Sequence, residues 1–141
     1  MPAAEAVAEQ SGAPEAVEPG GGETLLVVDD EDTIRSMLEV VLSENGYRIL
    51  TSKTAEEALQ FLETEGARID LVISDIGLPD MNGKKLIGKI KAQYPRLPII
   101  AMTGYMEENL GERLHQAGAD VVVRKPYDLD QLSAHISTLL R

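Results

Sequence analysis

The chain of 141 residues contains no cysteine, no tryptophan, one phenylalanine and four tyrosines. Without cysteine there can be no disulfide, no thiolate zinc site and no cysteine nucleophile. Positive charge is scarce: thirteen Lys and Arg face twenty-four Asp and Glu, for a net charge of −11 at pH 7. Phosphate contacts need clustered Lys and Arg, so this balance argues against nucleic-acid binding by this chain, though not against a basic protein partner. No apolar run approaches the length of a membrane span, so a soluble chain with no membrane contact is expected. The start, Met1-Pro2-Ala3-Ala4-Glu5, lacks the basic residues and apolar stretch of a signal peptide, which points to the cytoplasm. Hydrophobic residues still make up 43% of the chain. The length suits one domain with a real core.

Residues 1–23 stand apart in composition, with five glutamates and no Lys, Arg or aromatic residue. Such a segment buries too little apolar surface to offset its ordering entropy, and a disordered acidic arm is expected there. Pro19-Gly20-Gly21-Gly22 reads as its flexible junction with a folded domain over 24–141.

From Thr24 the pattern alternates five times between strand and helix. Strands are expected near Thr24–Val28, Tyr47–Thr51, Asp70–Ser74, Pro98–Met102 and Asp120–Arg124. The first helix carries the stripe Ile34, Met37, Leu38, Val41, Leu42 and stops at Asn45-Gly46. The second carries Ala55, Ala58, Leu59 and Leu62, and the third Leu86, Ile87 and Ile90. The fourth, near Glu107–Gln116, rests on Leu110 and Leu114 with Gly111 inside it, and the last on Leu132, Ile136, Leu139 and Leu140. Five βα units with short connections imply an α/β fold, a doubly wound parallel sheet with helices on both faces. A closed barrel needs eight units and about 250 residues, so the open sheet is expected.

Three of the apolar runs end in chemistry. Leu25–Val28 leads into Asp29-Asp30, Leu71–Ser74 into Asp75, and Val121–Arg124 into Lys125. Each feature has an ordinary explanation: Asp29 to Asp32 could cap a helix, and Asp75 could simply open a turn. Their joint occurrence carries more. In strand order 2-1-3-4-5, strands one and three are neighbours, and the acids and the lysine share the sheet edge where open α/β folds place ligands. Carboxylates so gathered repel unless a cation lies among them, and the expectation is a hard metal beside a carboxylate able to do phosphoryl chemistry.

Val27-Val28-Asp29-Asp30-Glu31, Ser74-Asp75-Ile76-Gly77-Leu78-Pro79-Asp80-Met81-Asn82-Gly83, Met102-Thr103-Gly104 and Lys125-Pro126 together resemble the four signature blocks of bacterial response-regulator receiver domains. The resemblance spans residues 24–141 and implies a flavodoxin-like fold with a transiently phosphorylated aspartate. It makes Asp75 the phospho-acceptor, attacking a phosphohistidine of a histidine kinase or histidine phosphotransfer protein. It gives Mg²⁺ to Asp30, Asp75 and the backbone carbonyl of Gly77, with Asp29 reaching the ion through water. Lys125 becomes a second positive charge on the phosphoryl oxygens, Lys125–Pro126 a cis peptide, and Thr103 the hydroxyl that follows the phosphoryl group. The implied activity is that of a switch acting on a downstream protein target. It is no enzyme beyond its own phosphorylation and dephosphorylation.

Gly77 leaves the acceptor unshielded, whereas Tyr105, two residues after Thr103, is bulky enough to cover the same opening. The departure from the family pattern is Val122, where most receivers carry Tyr or Phe. A valine cannot swing inward as a ring does, so the expected signal route is the loop and helix after Thr103, with Tyr105 as a moving aromatic. Gly77 to Lys84 imitates a P-loop but has one residue too many between its glycines, and Lys85 stands where Ser or Thr belongs. His115 and His135 are isolated, and Met102 and Met106 read as packing residues. The chain is read as a single-domain regulator or as the receiver cut from a hybrid kinase. An aspartyl-nucleophile phosphohydrolase would need a second acid where Gly77 stands.

Overall fold

Each of the five apolar runs becomes a strand of one parallel sheet in the order 2-1-3-4-5. The computed structural model describes residues 21–104, 109–125 and 128–140. The strands are β1 (Thr24–Val28), β2 (Arg48–Ser52), β3 (Ile69–Asp75), β4 (Ile99–Thr103) and β5 (Val121–Arg124). The helices are α1 (Asp32–Glu44), α2 (Ala55–Glu65), α3 (Gly83–Gln93), α4 (Leu110–Ala117) and α5 (Leu129–Leu139), with a three-residue 3-10 turn, Gly66–Arg68, leading into β3. Among the described residues no helix is long and apolar enough to cross a membrane.

Alternation along the strands divides the core in two. Leu26, Val28, Val72, Ile99 and Ala101 face the side covered by α2, α3 and α4, against Ala58, Leu62, Leu86, Ile87, Ile90 and Leu114. Leu25, Val27, Leu71, Ile73, Ile100 and Met102 face α1 and α5, against Leu38, Leu42, Leu132 and Ile136. β1 and β3 are buried on both faces, which is why they read as continuous apolar runs. Val122 packs partly buried against the first cluster, while Val121 and Val123 pack against the second.

The strand ends differ from expectation by single residues, and backbone pairing explains each shift. The ladder runs on through polar residues at the C-terminal ends: Ser52 pairs with Val28, Asp75 with Met102, and Thr103 with Arg124. Pro98 has no N–H to give, so β4 starts at Ile99, although the Pro98 carbonyl accepts from Val72 N–H at 3.0 Å. Asp120 stays outside β5, where its carboxylate accepts from Ile99 N–H at 2.8 Å. The fourth helix begins at Leu110; residues 107 and 108 lie outside the described residues, as does the expected arm up to residue 20.

Candidate functional site

Because the sheet is parallel, the C-terminal ends of β1, β3, β4 and β5 share one edge, and pairing past the strand ends fixes the loops that leave it. Asp29 N–H donates to the Ser52 carbonyl at 3.1 Å, Ile76 N–H to Met102 at 3.0 Å, and Lys125 N–H to Thr103 at 2.7 Å. The loop after β3 closes on itself through Gly83 N–H to the Ile76 carbonyl, 2.9 Å, and a bridge between Gly77 and Asn82. At Gly83 a Cβ would lie 2.3 Å from the Ile76 Cα, so only glycine permits this approach.

At this edge Asp29, Asp30 and Asp75 each offer a carboxylate oxygen within 4.8 Å of the others. Asp29 is fully buried, Asp75 is 8% exposed and Asp30 faces solvent. The Lys125 ammonium reaches across from β5, 3.1 Å from Asp29 Oδ2, 3.5 Å from Asp75 Oδ2 and 3.4 Å from Glu31 Oε1. Asp29 Oδ1 accepts from Glu31 N–H at 2.9 Å, and Asp75 Oδ1 from Gly77 N–H at 3.2 Å. Thr103, buried at the end of β4, lines with Asp75 and Gly77 a cavity of about 410 Å³ that opens between α3 and α4.

The acids do not serve as helix caps. Glu31 is the N-cap of α1 and makes no side-chain capping bond. Instead the guanidinium of Arg35, on the first turn of α1, donates to the Asp29 carbonyl at 2.7 Å and pairs with Asp32. Asp29 is thus held from both its backbone and its side chain.

Burial dominates Asp29 and raises its pKa above the ordinary carboxylate value, against the Glu31 N–H and Lys125 hydrogen bonds that favour the anion. Burial alone would depress the Lys125 ammonium. The Asp29 hydrogen bond, the charges of Asp75 and Asp29, and the contact with Glu31 outweigh it and raise Lys125 above its usual value. Three carboxylates against one ammonium leave two negative charges in a partly dry site. The donor set is all oxygen, which suits a hard divalent cation such as Mg²⁺.

A response regulator receiver domain model matches residues 25–137 of the chain. The chain belongs to the response regulator receiver domain family. As a receiver domain of two-component signalling it is consistent with a phospho-accepting switch, and such domains bind Mg²⁺ at an acidic pocket. It is 30% identical over 120 residues to the sensor kinase CckA of Brucella abortus, an alignment covering 85% of this chain and 13% of that protein. It is 37% identical over 110 residues to the DNA-binding transcriptional regulator NtrC of Proteus hauseri, covering 78% and 23% respectively. A CheY-like receiver domain protein from Methanospirillum hungatei superposes with a TM-score of 0.80 at 32% identity, over 85% of this chain and 94% of that one. The receiver therefore spans less than a quarter of the length of these two curated relatives, and matches the solved domain almost end to end.

Asp29, Asp30, Asp75, Gly77, Thr103 and Lys125, all expected from the sequence, come together at this edge of the receiver. Tyr105 and Pro126 lie outside the described residues, and with them the expected moving aromatic and the expected cis peptide. His115, exposed at the end of α4, donates from Nδ1 to the Ala119 carbonyl at 2.8 Å. Two residues escaped the sequence reading. Glu31 is a third acid on Lys125, signalled only by its adjacency to the Asp pair. Asp80 accepts from Ala55 N–H at 2.9 Å and Glu56 N–H at 3.0 Å, tying the β3–α3 loop to the start of α2.

Proposed function

We propose that Asp75 accepts a phosphoryl group from a phosphohistidine, and that the phosphorylated receiver changes its binding to a protein target. The observation that carries this reading is the placing of Asp75: mostly buried, 3.5 Å from a lysine ammonium, beside two further carboxylates, and open to the α3–α4 cavity. In the transfer a carboxylate oxygen of Asp75 forms a bond to phosphorus as the P–N bond breaks, and the imidazole leaves with the electron pair. Asp29, Asp30, Asp75 and the Gly77 carbonyl are the residues that would hold Mg²⁺, which when bound neutralises charge on the transferring group. Lys125 supplies a fixed positive charge beside the accepting oxygen. Buried Thr103, which lines the same cavity, brings a hydroxyl to the site. Gly77 puts no side chain in the path of the donor.

The phosphohistidine belongs to a histidine kinase or a histidine phosphotransfer protein, and we place the reaction in the cytoplasm. A phosphohydrolase of the aspartyl-nucleophile class is disfavoured by Gly77, which stands where that chemistry needs a second acid. Asp75 is also the only acid among the described residues lining the cavity. The test is incubation with Mg²⁺ and a small-molecule phosphodonor. Acid-stable, base-labile phosphate is expected on the wild type and none on Asp75→Ala. An unlabelled wild type, or equal labelling of the variant, overturns the reading, and multiple turnover of phosphate esters would favour the hydrolase.

A further inference from the structure

On a chain of net charge −11, α3 is the exception: its sequence GKKLIGKIKAQ carries Lys84, Lys85, Lys89 and Lys91 and no acid. Lys91 is engaged, 3.0 Å from Asp120 Oδ2. Lys84, Lys85 and Lys89 are exposed and, among the described residues, make no ion pair; Arg96, just past the helix, is also exposed. Among the described residues nothing rewards these cations. Lys84 and Lys85 occupy the first turn, where the helix dipole opposes positive charge, and Lys85 and Lys89 repel each other at i, i+4. Sequence placed against local electrostatics points to an external counter-charge.

These lysines share the solvent-facing half of α3, opposite the buried Leu86, Ile87 and Ile90. Of the three, Lys84 alone borders the Asp75 cavity, with Arg113 of α4 across from it. Gly88, one turn after Lys84, lies in mid-helix where glycine costs stability, and a Cβ there would meet nothing within 4 Å. The same holds for Gly111 of α4. These two glycines have no packing reason inside their helices. Gly88 lies among Lys84, Lys85 and Lys89 on the exposed face and leaves it low enough there for another backbone to approach closely.

We infer that the exposed face of α3 is a docking site for an extended acidic segment of a partner protein. The eleven residues of α3 make a basic strip about 16 Å long, which about five residues of extended chain would cover. A nucleic acid fits less well, because its charge continues past the strip onto α2, which presents Glu56, Glu57 and Glu63. The glutamates Glu5, Glu9, Glu15 and Glu18 of this same chain are the competing occupant.

The test is fluorescence anisotropy with a labelled peptide of alternating Glu and Ser, added to the full unphosphorylated chain, so its outcome is independent of the chemistry proposed for Asp75. Saturable binding that weakens as salt rises is expected, with at least a tenfold loss in the reversal K84E/K89E and a smaller loss in K84Q/K89Q. A thermal melt shows that both variants are folded, as exposed positions should allow. Absence of saturable binding, or unchanged affinity in the folded reversal variant, overturns the proposal. So does tighter binding of an RNA oligonucleotide of equal charge lost in the same variant. A tenfold gain in peptide affinity on E5Q/E9Q/E15Q/E18Q would assign this face of α3 to the chain's own N-terminus and overturn the assignment to a partner.

Discussion

The residue under greatest electrostatic tension is Asp29. It is fully buried, its carboxyl is raised in pKa by that burial, and its neighbours include two more carboxylates. A folded-state pKa above the unfolded one means that the stability associated with Asp29 is full below about pH 3.8 and is lost as pH rises through the folded value. Above the folded value the ionised side chain opposes folding unless a cation compensates it. Asp29→Asn should therefore melt a few degrees higher than wild type at pH 7 in the presence of a chelator, with the difference closing below pH 3.8. Lys125 keeps Asp75 and Glu31 as partners in that variant. Thermal melts at the two pH values decide the matter: an Asn variant that melts lower at pH 7 would mean that the lost Lys125 bond outweighs the relief of burial.

At the scale of elements, the β3–α3 loop does more than present Gly77. Its Asp80 carboxylate occupies the N-terminus of α2, where the Ala55 and Glu56 N–H groups lack intrahelical partners, while the Thr54 hydroxyl accepts from Glu57 N–H at 3.1 Å. The Ala55 hydrogen bond is the largest influence holding Asp80 below the usual carboxylate range. A lowered folded pKa contributes stability above about pH 3.8 that is lost as pH falls through the folded value. Asp80→Ala should cost about 1 kcal/mol at pH 7, toward the lower end of capping effects because the carboxylate is exposed. Chemical denaturation at pH 7 and near pH 3 measures both the cost and its disappearance. This contact was illegible in the sequence, since it joins residues 24 and 25 positions apart and Asp80 reads locally as a turn residue. Gly83 likewise reads as an ordinary helix start until the 2.3 Å approach to Ile76 is seen. The strands were legible because burial on both faces leaves only apolar side chains to read. Their ends were not, because Ser52, Asp75 and Thr103 continue the backbone ladder with polar side chains.

For the whole molecule, negative charge acts at two ranges. The net −11 is spread over the surface and is screened by any salt, whereas the triad Asp29, Asp30 and Asp75 concentrates charge within 4.8 Å at the sheet edge. This edge was the most legible part of the site, because parallel strands bring residues from four separate runs together at their C-terminal ends. Lys125 illustrates this, lying 96 positions from Asp29 and 3.1 Å from its carboxylate. The two ranges can be separated by experiment. About 5 mM MgCl₂ and about 15 mM NaCl have the same ionic strength and screen the diffuse charge equally. A cation held by the triad adds a binding contribution, about 1 kcal/mol where the concentration is roughly five times Kd. The melting temperature in MgCl₂ should therefore exceed that in NaCl by several degrees for the wild type. With Asp30→Asn, which removes an exposed member of the triad and leaves the buried core untouched, the excess should shrink or vanish. Equal melting temperatures of the wild type in the two salts would show that the triad holds no divalent ion and that only the diffuse charge responds.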